Sequence, residues 1–174
     1  MSVRPILVVP HEILALKAEE IRNIDDRIVK LAADMIETMY VAPGLGLAAN
    51  QVGEPIRLVV IDVEWAHAEP KHRKKNPIVI MNPTITYTEG EWDKEEGCLS
   101  VPEFFIEVRR AEKVEIVGVD LDGNPVSIGA EGMMARVLQH EIDHLEGTTL
   151  LERASALKRN LYRRKIRKRT RRDQ

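Results

Sequence analysis

Two histidines four residues apart, His140 and His144, constrain this chain more than any other feature, because they can act together only if the backbone between them is helical. Residues i and i+4 on an α-helix differ by only about 40° in direction, so both imidazoles leave one face and can grip one cation. Glu141 stands beside the first of them, where a carboxylate can take a proton from a metal-activated water. The chain has only five histidines in 174 residues, which makes a chance pairing around a glutamate a weak competitor. The run His140-Glu141-Ile142-Asp143-His144 points to a metallohydrolase. It also predicts a helix from about Gly132 that carries Met133, Val137, His140 and His144.

Ile24, Ile28, Leu31, Met35 and Met39 recur at three- and four-residue steps, which predicts a second helix, with Asn23 as its cap and Pro43-Gly44 as its stop. Arg57 to Val63, Ile78 to Met81, Phe104 to Val108 and Val114 to Val119 read as strands. Asp122-Gly123 is a turn before another strand near Val126 to Ile128. The polar stretch from Trp65 to Pro77 reads as a solvated loop, a poor place for His67 or His72 to hold a metal. A charged helix begins at about Ala154. Helices and strands are segregated rather than alternating, which argues for an α+β fold with an antiparallel sheet.

The net charge of −2 hides a division. From Arg153 onward there are eleven Lys and Arg against the single acid Asp173, which leaves fifteen basic and twenty-seven acidic residues before it. The body then carries about −12 and the tail about +10, the asymmetry of a domain with a polyanion-seeking arm. The expected division is a catalytic domain over residues 1–151 and a basic helix over 152–174. Leu157, Leu161 and Tyr162 are placed to pin the start of that helix to the domain. Cys98 is the only cysteine, so no intrachain disulfide can form and a reducing compartment, the cytoplasm, is expected. Pro5 and Pro10 interrupt the N-terminus before any secretory apolar region, and no apolar run approaches a membrane span.

A catalytic metal of this type takes three protein ligands and leaves a position for water. One zinc-protease pattern places Gly seven and His ten residues after the first His; Gly147 is present, but the tenth position is Leu150. Another needs a downstream Glu, and beyond Glu152 the only acid is Asp173. The third ligand is therefore expected upstream. Cys98 is the strongest candidate, since a thiolate binds Zn²⁺ or Fe²⁺ well; a small buried hydrophobe is its alternative role, and His11 is the runner-up ligand. Gly44-Leu45-Gly46-Leu47-Ala48-Ala49-Asn50-Gln51 superficially fits a dinucleotide fingerprint, but a helix precedes it, and Gly53 and Pro55 break the chain before a helix could grow. The segment reads instead as backbone that comes close to something, with Gln51 offering an amide donor; an ordinary tight connection is the alternative.

Three segments, Gly44 to Gln51, Glu96-Gly97-Cys98-Leu99-Ser100 and Gln139 to His144, together resemble the motifs of the peptide deformylases, in order and at suitable spacing. The resemblance runs from near the N-terminus to about Leu151. It implies an α+β fold of antiparallel sheets packed around a central metal-binding helix, followed here by the basic C-terminal helix. It implies a ferrous ion, replaceable by Zn²⁺, Ni²⁺ or Co²⁺, and removal of formyl groups from formyl-methionine at nascent-chain N-termini. By the same resemblance Cys98, His140 and His144 bind the metal and Glu141 is the general acid/base, serving attack by a metal-bound hydroxide. The Gln51 amide and the Leu99 N–H face the oxyanion. Leu45 and Gly46 hydrogen-bond the peptide through their main chain, while Met133 and Val137 line the methionine pocket.

Two positions depart from part of that family. Phe104-Phe105 stands where some members carry an arginine that meets the distal part of the substrate. Arg136, one turn before His140, replaces an apolar residue and either guards the site mouth or pairs with an acid. Two rival readings are a general metallopeptidase and a non-catalytic RNA-binding protein with a structural metal. The first needs a cleft open on both sides of the scissile amide, and the second leaves Glu141 idle. The expected partners are formylated nascent peptides and, through the tail, ribosomal RNA; the chain is expected to act as a monomer.

Overall fold

A computed structural model describes residues 2–67 and 74–170 of the chain. After a short 3₁₀ turn at Glu12–Ala15, helix α1 spans Asp26–Val41, and strands β1 (Gly46–Ala48) and β2 (Leu58–Ile61) come next. A short helix α2 (Val63–His67) leads toward β3 (Ile78–Glu89), β4 (Trp92–Cys98), β5 (Val101–Arg110), β6 (Lys113–Val119) and β7 (Pro125–Glu131). Helix α3 (Gly132–Leu145) starts directly where β7 ends, and α4 (Leu150–Arg153) and α5 (Ala156–Thr170) close the described chain. Five strands make one antiparallel sheet in the order β1-β2-β3-β6-β7, while β4 and β5 pair only with each other.

Strand alternation decides which helix covers which face. Leu58, Val60 and Met81 point one way and pack with Leu31, Met35 and Met39 of α1. Val59, Ile61 and Ile80 point the other way and pack with Ala135, Leu138, Ile142 and Leu145 of α3. Because successive strand residues face opposite sides, β2 can be apolar throughout and still serve two cores. On its far side α3 meets the β4–β5 hairpin. That hairpin's inward residues Val101, Phe104, Ile106 and Val108 form a third cluster with Leu150, Leu151 and Tyr162. The helix bearing the two histidines is thus central, sandwiched between two sheets.

Several local expectations need correction. Helix α1 is capped by Asp25, whose side chain accepts from Ile28 N at 3.0 Å, and not by Asn23, which lies outside the helix. Trp65 belongs to α2 rather than to a loop, because Asp62 accepts from its backbone N–H at 3.0 Å and starts a turn. His72 lies outside the described residues, as does the side chain of His67. Strand β4 escaped the pattern analysis: Asp93, Lys94, Glu95 and Glu96 look like a solvated run, yet Glu96 is buried. Of the three proposed pins of α5 only Tyr162 is buried, while Leu157 and Leu161 are exposed. No helix among the described residues is long and apolar enough to cross a membrane.

Buried polar groups tie α1 to the end of β2. Tyr40 Oη donates to Asp62 Oδ2 at 2.5 Å, and the N–H of Asn76 donates to the same carboxylate at 2.8 Å. Burial by itself would raise the Asp62 carboxyl, but the Tyr40 hydroxyl and these amides outweigh it and hold the group below the usual carboxylate range. A depressed carboxyl contributes stability that is present above the unfolded value, about 4, and fades as pH falls through the folded one. Tyr40→Phe is therefore expected to cost about 1–3 kcal/mol at neutral pH, because it leaves a buried acceptor short of a donor. The gap between the two proteins should narrow on acidification; urea midpoints at pH 7 and below 4 would check both statements.

Candidate metal centre

Cys98 ends β4, and the next two residues, Leu99 and Ser100, form the tight turn into β5. That turn aims the thiol at α3, where Cys98 Sγ lies 3.2 Å from His144 Nε2. The candidate ligand atoms of Cys98, His140 and His144 all fall within 4.8 Å of one another. Ligands at about 2.0–2.3 Å from one ion stand roughly 3–4 Å apart, so the three need to draw in only slightly to hold a single divalent cation. The structure brings together the two ligands read from the helix motif and the upstream cysteine. It does not bring in His11, which is exposed and accepts from Ile13 N as the cap of the first short turn.

The two histidines are held differently. His140 Nδ1 lies 3.0 Å from Glu96 Oε2, so its N–H donates to that carboxylate and Nε2 is left for an ion. Glu96 in turn accepts from Arg110 Nε and Nη2 at 2.6 and 3.0 Å and from Arg136 Nη1 at 2.5 Å. Burial would raise its carboxyl, but the His140 ring and the Arg110 guanidinium overcome that and hold it down at about 2. For His140, burial disfavours a proton, while the Cys98 sulfur and Glu96 favour one and prevail. Neighbours that favour positive charge at that ring also favour a metal cation there. Burial pushes the pKa of His144 well down, which suits a neutral ligand, and its Nδ1 has no hydrogen-bond partner among the described residues.

Glu141 is the unusual carboxylate. It is buried, its Oε2 has no partner among the described residues, and burial pushes its pKa up to about 7, with the charges of His140 and Arg110 opposing. The glycine-rich segment explains how the group fits. A Cβ on Gly46 would stand 2.6 Å from Glu141 Oε1, closer than any side chain tolerates, so the backbone of β1 comes close to this carboxylate. A general acid/base needs a proton affinity near working pH, and burial moves Glu141 in that direction.

Gln51 fills the third side. Its Oε1 accepts from Ala48 N at 2.9 Å, which turns Nε2 toward Ser100 Oγ at 3.1 Å and to within 3.8 Å of Cys98 Sγ. The extended N-terminus laces the two motifs together, with Leu7 N donating to Gln51 O and Val9 N to Ser100 O. Leu45, Gly46, Gln51, Leu99, Met133, Val137, His140 and Glu141 line one cleft of about 570 Å³. Arg136 pairs with an acid, Glu96, and also donates to the carbonyls of Trp92, Lys94 and Val108. The acid pairing of Arg136 was one of the two alternatives read from the sequence; the roles of Glu96 and Arg110 behind His140 were missed. The usable signal was that a metal-binding histidine needs an acceptor on its other nitrogen, and Glu96 is the acid two residues before Cys98.

An α+β scaffold that sets a Cys/His/His cluster beside a buried, protonatable carboxylate defines a metal-dependent hydrolase. The sequence matches the family profile described as Polypeptide deformylase over residues 3–160. It is 45% identical to a peptide deformylase of Syntrophobacter fumaroxidans over 168 residues, covering 97% of this chain and 96% of the relative. The fold superposes on the crystal structure of a peptide deformylase from Legionella pneumophila with a TM-score of 0.86 at 44% identity, covering 98% and 96% of the two chains. The peptide deformylase of Ehrlichia chaffeensis in complex with actinonin gives 0.87 at 39% identity, over 97% and 98%. This chain belongs to the polypeptide deformylase family, whose reaction is deformylation of nascent chains.

Gly46→Ala tests the close approach directly. The added methyl forces Glu141 aside, and for a group in the acid/base role proposed below a displacement of about 1 Å costs on the order of 10²-fold in rate. Formate release from a formyl-methionyl peptide should fall by about that factor while metal content stays near that of the parent protein.

Proposed function

We propose that the chain hydrolyses the formamide of formyl-methionyl N-termini, with Cys98, His140 and His144 holding one Fe²⁺ that Zn²⁺, Ni²⁺ or Co²⁺ can replace. The observation that carries this reading is the buried carboxylate of Glu141, whose Oε2 has no partner among the described residues, beside that three-residue cluster at the wall of a peptide-sized cleft. One thiolate and two imidazoles suit borderline first-row dications. Such an ion supplies Lewis acidity, making a water acidic near neutral pH and polarising the formyl carbonyl.

The chain's own groups do the rest. Glu141 takes the proton from the attacking water as its oxygen adds to the formyl carbon. The Gln51 amide and the Leu99 N–H stabilise the resulting oxyanion, where one lost donor costs about 10²–10³ in rate. Glu141 then delivers its proton to the departing nitrogen as the C–N bond breaks, which yields formate and a free amine. Leu45 precedes and Gly46 begins β1, an edge strand of the sheet, whose outer backbone groups can pair with an extended peptide. Met133 and Val137, on the cleft face of α3, receive the methionine side chain.

Two substitutions separate ligand from proton carrier. Cys98→Ser should lose most of its metal and its activity, because a neutral hydroxyl is a poor substitute for thiolate. Glu141→Gln should retain about one ion per chain, counted by metal analysis, yet lose at least 10²–10⁴ in rate. Metal loss in the second variant would assign Glu141 a ligand role and sink this mechanism.

We further propose that the enzyme works as a cytoplasmic monomer and that α5 docks on ribosomal RNA. Arg164, Arg167 and Lys168 are exposed along a helix fixed at its middle by Tyr162. Replacing all three by glutamine should leave turnover of a short formyl-peptide intact and weaken ribosome binding. The slope of log K against log salt should shrink by about two to three units, as each released phosphate contact contributes about 0.7–0.9. Unchanged binding across a salt series would remove α5 from this role.

A further inference from the structure

A cleft of about 570 Å³ is the size of a small-ligand site, so it takes only the first residues of a polypeptide substrate. The remaining chain has to leave over a rim. On the hairpin side the lip is Phe105, whose ring lies across the backbone of Gly97: a Cβ there would come within 2.6 Å of Phe105 Cε1. The ring is 63% exposed, although Phe104 and Ile106 on either side are buried. Glu103 produces this arrangement. Its φ of +56°, uncommon for a residue with a side chain, interrupts the alternation after Val101 so that Phe104 turns inward and Phe105 outward.

Beyond Phe105 a second, open groove of about 330 Å³ runs between β5 and α5, lined by Glu103, Phe105, Lys158, Leu161 and Lys165 among others. Glu103 and Phe105 line both the cleft and this groove, so the two adjoin across that lip. The far wall is firmly placed. Tyr162 packs on Phe104 with ring centroids 4.7 Å apart, its hydroxyl donates to Pro102 O at 2.8 Å, and Lys165 pairs with Glu103 at 2.8 Å. Leu161 is nevertheless 54% exposed, and Leu157, one turn earlier on the same face, 70%. Single exposed apolar residues are ordinary; Phe105 and Leu161 share one groove beside the cleft, with Leu157 one turn further along the same helix face.

We propose that the strip from Phe105 across to Leu161 and Leu157 carries the part of the substrate chain that lies beyond the cleft and favours apolar side chains there. The inference rests on the deformylase reading above. It makes the C-terminal helix part of the substrate path. Lys165 is already paired with Glu103, so the Lys158 ammonium is the group that favours an acidic residue over a basic one in the same stretch.

The test uses the full, metal-loaded chain and three formyl-methionyl peptides: a tripeptide, an octapeptide with leucine and phenylalanine at positions four to seven, and an octapeptide with glycine and serine there. An extended octapeptide spans on the order of 25 Å. The apolar octapeptide should exceed both others in kcat/KM by about five- to tenfold, mainly through KM. Leu157→Asn combined with Leu161→Asn should abolish that gain and leave tripeptide turnover as it was; both leucines are exposed, so the fold should tolerate the change. An equal gain in parent and variant, or no gain in the parent, overturns the proposal. Absence of turnover on all three peptides is a different result: it removes the deformylase reading and the substrate path together.

Discussion

One buried carboxylate, Glu96, fastens the β4–β5 hairpin to α3 and orients the first histidine at the same time. Two guanidiniums, those of Arg110 and Arg136, and the ring of His140 surround it, all at 2.5–3.0 Å. Burying charge costs several kcal/mol per ion, recovered only where partners are complete and well aligned. Here they nearly are, since the remaining Nη hydrogens of Arg136 reach main-chain carbonyls of both hairpin strands. Deleting one member of such a cluster costs about 3–5 kcal/mol, because the charge left behind has no partner. The position of Cys98, two residues along β4, is set by that clamp. The network continues outward: Arg110 also binds Asp143, and Asp143 binds Arg153 at the end of α4.

The central sheet keeps α1 and α3 apart and gives each its own apolar face. Its edge strand β1 lies close to α3 because Gly46 carries no side chain, and Glu141 occupies the space. A carboxylate in that place has little water to hold its charge, which is why its proton affinity rises to neutrality while that of Glu96, one layer away among cations, falls. Two acids on the two sides of one helix thereby acquire opposite behaviour from their surroundings alone.

Helix α5 is more closely integrated than a charged tail would be. Its middle is packed on β5 through Tyr162, while its exposed basic residues and its exposed leucines face solvent. The same element therefore offers cations to a polyanion and an apolar edge next to the cleft, and β5 supplies the lip between them.

The helix bearing His140 and His144, the α+β class and membership of the deformylase family were all legible in the sequence, because a 3.6-residue period and three short motifs are local patterns. The close approach at the glycine-rich segment was legible too, though not what it approached. Strand β4 was hidden, since two of its charges, Asp93 and Glu96, are satisfied by Arg109, Arg110 and Arg136 from elsewhere in the chain and no local pattern records that. The cap of α1 was misplaced by two residues because Asn23 and Asp25 are equally good capping side chains, and only the tertiary position of the helix chooses between them. The meeting of Cys98 with the histidines was expected from the missing downstream ligand and the single thiol, whereas the environments that separate Glu96 from Glu141 are long-range facts. They depend on which groups are brought together and how much water is left around them, and that was decided by folding.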